Sequence, residues 1–332
     1  MREATDKHRK SRFFSFTLCV VLYVPCAPLL AHAGNELRIA VIGAPEEPRF
    51  SEVVAGLRRG LSEIGYAGPS VVLHETRIAR TEERRVKPLI EELLKERIQV
   101  LFLIGSRLLD PVRKVSQDVP VVFISPGDPV ASGLIASLAR PGRNATAMTF
   151  EYPELSGKRL ELLKEIAPRV RRVLALYDSR DPSPLQGLEA ARRAAPDLGL
   201  TLVERDVRSL DEFRRALGAI DGADAYLSVP GGFPTGHYEE IVRLTIAKRL
   251  PAIFHARIGG TADALASYGA SDAQVARDAA RLVDKIAKGV NAGELPVERP
   301  SKLDLVIHLK TAKQIGLTIP PNVLARADRV IR

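Results

Sequence analysis

The sequence of 332 residues contains no tryptophan, only two methionines and only two cysteines. The two cysteines, Cys19 and Cys26, both lie near the N-terminus, so the chain can form neither a zinc framework nor a disulfide scaffold. Hydrophobic residues make up 45% of the chain and charged residues 27%, which excludes a disordered, collagen-like or coiled-coil protein. The length allows one large domain or two of modest size.

The N-terminal segment has the features of a secretory signal peptide. Basic residues precede an apolar run from Phe13 to Leu30, which ends at Ala31-His32-Ala33. We expect cleavage after Ala33, so that residues 1–33 are removed and the remaining chain is exported and free of cysteine. A membrane anchor is the alternative, because the run is close to the minimum spanning length, but Pro25 and Pro28 interrupt it.

The formal net charge of +9 does not indicate a nucleic-acid partner. Five basic and two acidic residues belong to the leader, so the remaining chain carries +6. This charge is spread over helical faces, as at Arg169, Arg171 and Arg172, and no aromatic residues are interleaved with it. We therefore expect a solvated basic surface. No later stretch is apolar enough to span a bilayer.

Short apolar, β-branched runs alternate with helical patterns along the rest of the chain. Such nearly continuous runs are typical of parallel strands that are covered by helices on both faces. The predicted strands are 38–42, 71–74, 100–104, 121–124, 145–150, 173–177, 200–205, 225–229, 252–254 and 264–268. The first helix has an apolar stripe at Val53, Val54, Leu57, Leu61 and Ile64.

The pattern predicts an α/β protein with two similar doubly wound lobes joined by a hinge. The series restarts after a helix at 154–166, which marks the lobe boundary. We assign 36–148 and about 271–291 to the N-terminal lobe, and 149–270 and about 292–332 to the C-terminal lobe. A single eight-stranded barrel is the structural alternative. Capping boxes are predicted at Ser209 with Glu212 and at Ser271 with Gln274.

Sequence signatures of enzymes are missing. The first strand is followed by Gly43-Ala44-Pro45-Glu46 and not by a dinucleotide-binding glycine motif, and no phosphate-binding loop occurs. Ser106 lacks the nucleophile elbow of hydrolases. His74-Glu75 has no second histidine at Ile78, so no zinc motif forms. We predict that the protein is not an enzyme and binds neither cofactor nor metal.

The loops after the strands contain the residues best suited to hold a ligand. In open α/β sheets, ligands bind beyond the carboxyl ends of the strands. Small residues let backbone amides approach a ligand, polar side chains supply hydrogen bonds, and aromatic rings supply an apolar wall. The predicted ligand-binding residues are Ala44, Pro45, Phe50, Gly105, Ser106, Ser125, Gly127, Asp128, Phe150, Asp178, Ser179, Ser183, Pro230, Gly231, Gly232, Phe233, His255, Arg257 and Tyr268.

From about Arg38 to the C-terminus, the sequence resembles a family of ABC-importer substrate-binding proteins, the tryptophan/tyrosine-type family with a type I periplasmic-binding-protein fold. The resemblance is carried by Asp128-Pro129 with the following block Arg140-Pro141-Gly142-Arg143-Asn144-Ala145-Thr146, and by Leu309-Lys310-Thr311-Ala312-Lys313. Further matching segments are 121–123, 133–135, 295–298, 305–308 and 316–321.

The resemblance implies a monomeric periplasmic receptor that closes two lobes around a small solute. Its partners would be an ABC permease, contacted directly, and an ATPase. By position, Ser106 and Asp128 would be polar contacts, and Asp178, Ser179 and Ser183 would match the loop that grips an amino acid in relatives.

The ligand class stays open between an amino acid, an organic acid and an aromatic compound. Gly231 and Gly232 stand where relatives often have Asp-Asn, which removes a carboxylate suited to an ammonium group. Arg257 is a candidate counter-charge for an acid. Two alternatives to transport remain at this point: a sensor domain that signals to a membrane kinase, and a periplasmic enzyme.

Overall fold

The computed structural model describes residues 36–44, 50–78, 82–149, 153–255 and 263–332. In the first half of the chain, strands alternate with helices. The strands are β1 (Leu37–Gly43), β2 (Val71–Arg77), β3 (Val100–Leu103), β4 (Val121–Ser125) and β5 (Ala145–Thr149). The helices are α1 (Phe50–Glu63), α2 (Val86–Lys95) and α3 (Leu109–Val115). Short 3₁₀ turns occupy Gly68–Ser70 and Glu83–Arg85.

The second half repeats this alternation and adds a C-terminal extension. Its strands are β6 (Arg172–Tyr177), β7 (Thr201–Asp206), β8 (Ala225–Ser228), β9 (Ala252–Phe254), β10 (Ala266–Gly269), β11 (Asp304–His308) and β12 (Arg329–Ile331). Its helices are α4 (Pro153–Ile166), α5 (Pro182–Ala194), α6 (Leu210–Gly218), α7 (Gly232–Gly236), α8 (Tyr238–Ala247), α9 (Asp272–Ala287), α10 (Leu309–Gln314) and α11 (Pro321–Arg326). Two further 3₁₀ turns lie at Ala219–Gly222 and Ala292–Glu294.

The strands form two separate sheets, which confirms the predicted fold class and excludes the barrel. The first sheet has the order β2-β1-β3-β4-β5 and is parallel throughout. The second has the order β12-β11-β10-β9-β8-β6-β7. Among the strand pairs that the structure describes, only β10–β11 is antiparallel, and β11 belongs to the C-terminal extension.

Each sheet has an apolar core on both faces. In the first lobe, α1 and α9 cover one face, and α2 and α3 cover the other. In the second lobe, α4, α5, α10 and α11 cover one face, and α6 and α8 cover the other. The central strands are therefore buried along their whole length, as at β3 and β4, whereas the edge strands β2 and β7 are partly exposed.

Three segments of the chain run from one lobe to the other. The first joins β5 to α4, the second joins β10 to α9, and the third joins the turn at Ala292–Glu294 to β11. The third crosses later than the boundary at about 292 assigned from the sequence. Residues 292–298 pack on the first lobe: Ala292 and Leu295 enter its core, and the Glu298 amide donates to Ala147 O over 3.0 Å.

Within the described residues, no helix combines the length and the apolar composition that crossing a membrane requires. The predicted signal peptide at residues 1–33 lies outside the described residues.

Candidate functional site

The two lobes contact each other through the loop after β4 and the first turns of α5. Gly127 lies in the first lobe, and Ser183 and Gln186 lie in the second. A Cβ atom built at Gly127 would lie 2.8 Å from both Ser183 Oγ and Gln186 Oε1, so a side chain at this position would have to displace one of these atoms. The contact brings Gly127, Asp128 and Ser183 together, which are three of the predicted ligand-binding residues.

The loop after β4 is held in place by its own polar side chains. Ser125 Oγ and Thr149 Oγ1 both donate to Gly127 O, over 2.9 and 3.0 Å. Asp128 Oδ1 accepts from the amides of Val130 and Ala131, over 2.8 and 3.2 Å. Ser125 is 1% exposed, so its hydrogen bond to Gly127 O is buried. The Asp128 carboxylate stabilises the turn that follows it.

Ser183 lies between this loop and Gly231. The Asp181 side chain caps α5 by accepting from the Ser183 amide over 2.9 Å, which leaves the Ser183 hydroxyl outside the cap. Gly231 has φ of +95° and ψ of 175°, and a Cβ there would lie 3.2 Å from Ser183 Cβ. A side chain at position 231 would therefore be strained and crowded.

Asp178 is engaged by neighbours of its own loop. Arg180 donates to it through Nε over 2.9 Å and through Nη2 over 2.8 Å, and the Phe233 amide is a further donor. Burial opposes ionisation, but the hydrogen bonds from Arg180 outweigh it, so the pKa of Asp178 lies below its ordinary value. This carboxylate is buried and saturated with donors within the second lobe.

Ser179 is likewise bonded within the protein. Its amide and its Oγ donate to Asp206, over 3.0 and 2.7 Å. Arg208 also binds Asp206, and its guanidinium lowers the pKa of that carboxyl to about 2. The pairs Arg180–Asp178 and Arg208–Asp206 therefore fix the loop after β6.

Phe233 belongs to a small aromatic cluster at the start of α7. Its ring lies 4.4 Å from the His237 ring and 6.1 Å from the Phe213 ring, measured between centroids. Burial lowers the pKa of His237, which favours the neutral imidazole. Gly232 begins α7 directly after Gly231, and Pro230 is buried.

His255 and Tyr268 lie at the ends of β9 and β10. Ser228 Oγ and His255 Nδ1 are 2.8 Å apart, and His255 is 2% exposed. Arg159 of α4 is fully buried and donates to Tyr268 O over 2.8 Å and to His255 O over 3.3 Å. Arg159 therefore ties the ends of both strands to α4.

The remaining predicted residues are divided between the first lobe and the parts that the structure does not describe. Ala44 is buried after β1, and Gly105 and Ser106 are half-buried after β3. Phe50 is 1% exposed and packs in the core at the start of α1, where Arg77 Cζ lies 4.3 Å from its ring centroid. Pro45, Phe150 and Arg257 lie outside the described residues.

Several residues of this region were missed from the sequence: Thr149, Arg159, Arg180, Gln186 and Asp206. Thr149 and Arg180 are each next to a predicted residue, so a wider window around the strand ends would have included them. Arg159, Gln186 and Asp206 act through partners that are distant in sequence, and nothing in the chain's local pattern marks them. Among the residues described, no three His, Cys, Asp or Glu side chains are grouped as metal ligands would be.

The two sheets, the three crossing segments and the contact between strand-end loops define the type I periplasmic-binding-protein fold. The chain belongs to the family described as ABC transporter substrate binding protein, whose model matches residues 38–331. This membership confirms the family identified from the motifs and gives the protein a solute-binding role.

Individual relatives agree with this assignment. The chain is 19% identical over 284 residues to a tyrosine-binding protein of Clostridioides difficile (strain R20291), covering 85% of this chain and 82% of that protein. A Streptococcus pneumoniae ABC domain solved in complex with L-Trp superposes with a TM-score of 0.80 at 23% identity, covering 90% of this chain and 100% of that one. A conserved domain protein from Vibrio cholerae also gives a TM-score of 0.80, at 26% identity, with 89% and 100% covered.

Proposed function

We propose that the protein is the periplasmic substrate-binding component of an ABC importer. It is exported by a cleaved signal peptide, binds a small solute between its lobes as a monomer, and delivers the solute to a membrane permease that works with an ATPase. No covalent step is involved. Ligand contacts with both lobes favour the closed arrangement, and the closed surface is what the permease recognises.

The observation that carries the proposal is the contact between the strand-end loops of two separate lobes, made where Gly127 meets Ser183. A solute bound at this edge touches both lobes at once, so its binding energy is coupled to their closure. A micromolar ligand supplies about 8 kcal/mol, which exceeds the few kcal/mol that separate open and closed forms of such proteins.

The solute class is an amino acid, an organic acid or an aromatic compound. The names of two relatives, a tyrosine-binding protein and a complex with L-Trp, make aromatic amino acids the first ligands to test. We assign Asp178 a positioning role, because Arg180 already occupies its carboxylate. The Ser183 hydroxyl is a better candidate for a ligand contact, since the Asp181 cap uses only the Ser183 amide.

Mass spectrometry of small molecules released from the purified protein tests the proposal, followed by calorimetry with the molecules found and with L-tryptophan and L-tyrosine. We expect stoichiometric binding, and roughly fivefold to tenfold weaker binding by Ser183→Ala, which removes one hydrogen bond. Ser70→Ala is the matched control, because Ser70 precedes β2 at the opposite end of the first sheet and its hydroxyl donates to Ala67 O within its own turn.

A protein that retains no small molecule and binds none of these compounds contradicts the proposal. Turnover of a bound compound would instead favour the enzyme alternative. Delivery is tested by adding the loaded protein to its permease and ATPase in vesicles, where we expect faster ATP hydrolysis.

A further inference from the structure

One glutamine side chain joins the two lobes through the main chain. Gln186 lies on α5 of the second lobe, and its Oε1 accepts from the Asp128 amide over 2.7 Å. Its Nε2 lies 3.4 Å from Asp128 O and 3.4 Å from Ser132 Oγ, and it donates to both. All the hydrogen bonds that the structure gives this side chain therefore lead to the first lobe.

The pairing has the donor and acceptor pattern of two backbone strands. Asp128 offers one N–H and one C=O, and the carboxamide of Gln186 matches both at once. The orientation of the amide is fixed by these neighbours, because exchanging its oxygen and nitrogen would set an acceptor against an acceptor and a donor against a donor. Both bonds to Asp128 are made by its main-chain N–H and C=O.

The surroundings are adapted to this approach. Gly127 has no side chain to separate the lobes, whereas any Cβ there would lie 2.8 Å from Gln186 Oε1. Ser125, Thr149 and Ser132 bind the carbonyls of Gly127 and Asp128, which holds the loop in the conformation that presents its amide to Gln186. Gln186 is itself half-buried, and the cap of α5 is supplied by Asp181.

We propose that Gln186 is a positioning residue that holds the lobes together, by an interlobe bridge between its carboxamide and the main chain of Asp128. The inference deepens the proposed function, on which its consequence for ligand retention rests. The bridge contributes to closure without contacting the solute, so its loss weakens binding by shifting the lobes toward the open arrangement and not by removing a ligand contact.

The test uses the full protein with no ligand added, and compares the wild type with Gln186→Ala. We expect the Asp128 amide to exchange its hydrogen about tenfold faster in the variant, since it loses its acceptor. We also expect a larger radius of gyration by small-angle scattering. Gln314→Ala is the matched control, because Gln314 is an exposed glutamine on α10 of the second lobe. It should leave both quantities unchanged.

Gly127→Ala tests the same bridge independently, because its methyl group must displace Gln186 or Ser183. We expect it to enlarge the radius of gyration as well. If Gln186→Ala leaves both the Asp128 exchange rate and the scattering profile at their wild-type values, the proposal is wrong. A urea unfolding curve for each variant serves as the control for folding, because a variant whose lobes remain folded keeps a cooperative unfolding transition.

Mass spectrometry of released small molecules, with calorimetry on the molecules found and on L-tryptophan and L-tyrosine, separates this inference from the proposed function. If the wild type binds no solute but the exchange and scattering differences are found, the bridge stands and the function fails. If solute binds and those differences are missing, the function stands and the bridge fails.

Discussion

At the residue scale, the loop after β6 is held both by its own Arg180–Asp178 pair and by the Arg208–Asp206 pair, which lies outside the loop. Asp206 ends β7 and accepts from Ser179 and Arg208. Tyr177 and Asp206 are register partners in the β6–β7 pair, so the parallel pairing itself delivers this carboxylate to the loop. One residue thereby fixes the main chain at a predicted ligand-binding position.

We predict that Asp206→Asn destabilises the protein at pH 7 by roughly 1 to 2 kcal/mol. The pKa of Asp206 is lowered to about 2 from an ordinary value of 3.8, so its contribution is fully present above about pH 5 and is lost as the pH falls through 2. The difference in urea unfolding free energy between wild type and variant should therefore shrink between pH 4 and pH 2.

The control for this measurement is Asp197→Asn, because Asp197 is exposed and its carboxylate forms no ion pair with any residue that the structure describes. It should change the unfolding free energy little at either pH. A difference between wild type and Asp206→Asn that is the same at pH 3 as at pH 7 would refute the assignment.

The hydrogen-bond partners of individual side chains were harder to predict than the strand ends at which these side chains lie. The strand ends were located from the sequence, and Gly127, Ser183 and Gly231 do come together there. The polar roles could not be predicted in the same way, because Ser179 binds an aspartate 27 positions later. Short-range caps were more accessible: Ser271 Oγ accepts from the Gln274 amide as predicted, although the Gln274 side chain turns to Asp278.

At the element scale, α1 and α9 pack backbone against backbone through two glycines of α1. A Cβ at Gly56 would lie 2.2 Å from Ala273 O, and one at Gly60 would lie 2.3 Å from Arg277 O. The two glycines are one helical turn apart, so they form a flat strip on which the backbone of α9 rests. Glu63 and Tyr66 extend the contact by binding Arg277 and Asp284.

We predict that Gly56→Ala lowers the free energy of unfolding by roughly 1 to 3 kcal/mol, because the methyl group forces two backbones apart. Gly218→Ala is a matched helical control, since a Cβ at Gly218 meets nothing within 4 Å. Helix propensity alone predicts that the control is neutral or stabilising by up to about 1 kcal/mol. Urea titration of both variants checks this, and equal effects at the two sites would contradict the packing argument.

The buried face of α1 could be predicted from the sequence, but the helix that packs against its glycines could not. Val53, Val54, Leu57 and Leu61 are buried on the predicted stripe of α1. The fifth member, Ile64, is 40% exposed, because α1 ends at Glu63 and the chain turns away. Periodicity indicates which face of a helix is buried, but the glycines that admit α9 are recognisable only once α9 is in place.

At the scale of the whole molecule, the chain passes between the lobes three times and returns to the first lobe late. Residues 292–298 run beside β5, where Met148 and Glu298 form a parallel bridge. Glu298 is also bound by Arg281 and Lys285 of α9 over 3.0 Å each. The third crossing therefore begins after residues 292–298, close to Lys302 and Leu303. A proline-containing stretch gives no signal of such pairing, which is why the boundary was assigned too early.

We predict that a saturating ligand makes the particle more compact in solution. Small-angle scattering should give a smaller radius of gyration for the protein with a ligand confirmed by calorimetry than for the protein without it, because contacts with both lobes favour closure. Identical profiles in the two samples would show that binding does not move the lobes.

The late return of α9 also has a consequence for how the polypeptide matures. The Tyr66 hydroxyl donates to Asp284, which is 218 positions further along the chain. During synthesis from the N-terminus, the glycine strip of α1 therefore stays uncovered until most of the second lobe has been synthesised, because α9 follows that lobe in the chain. The first lobe can therefore complete its core only after α9 has been synthesised. A nascent chain that ends before α9 lacks this helix in the first lobe and lacks the C-terminal extension in the second.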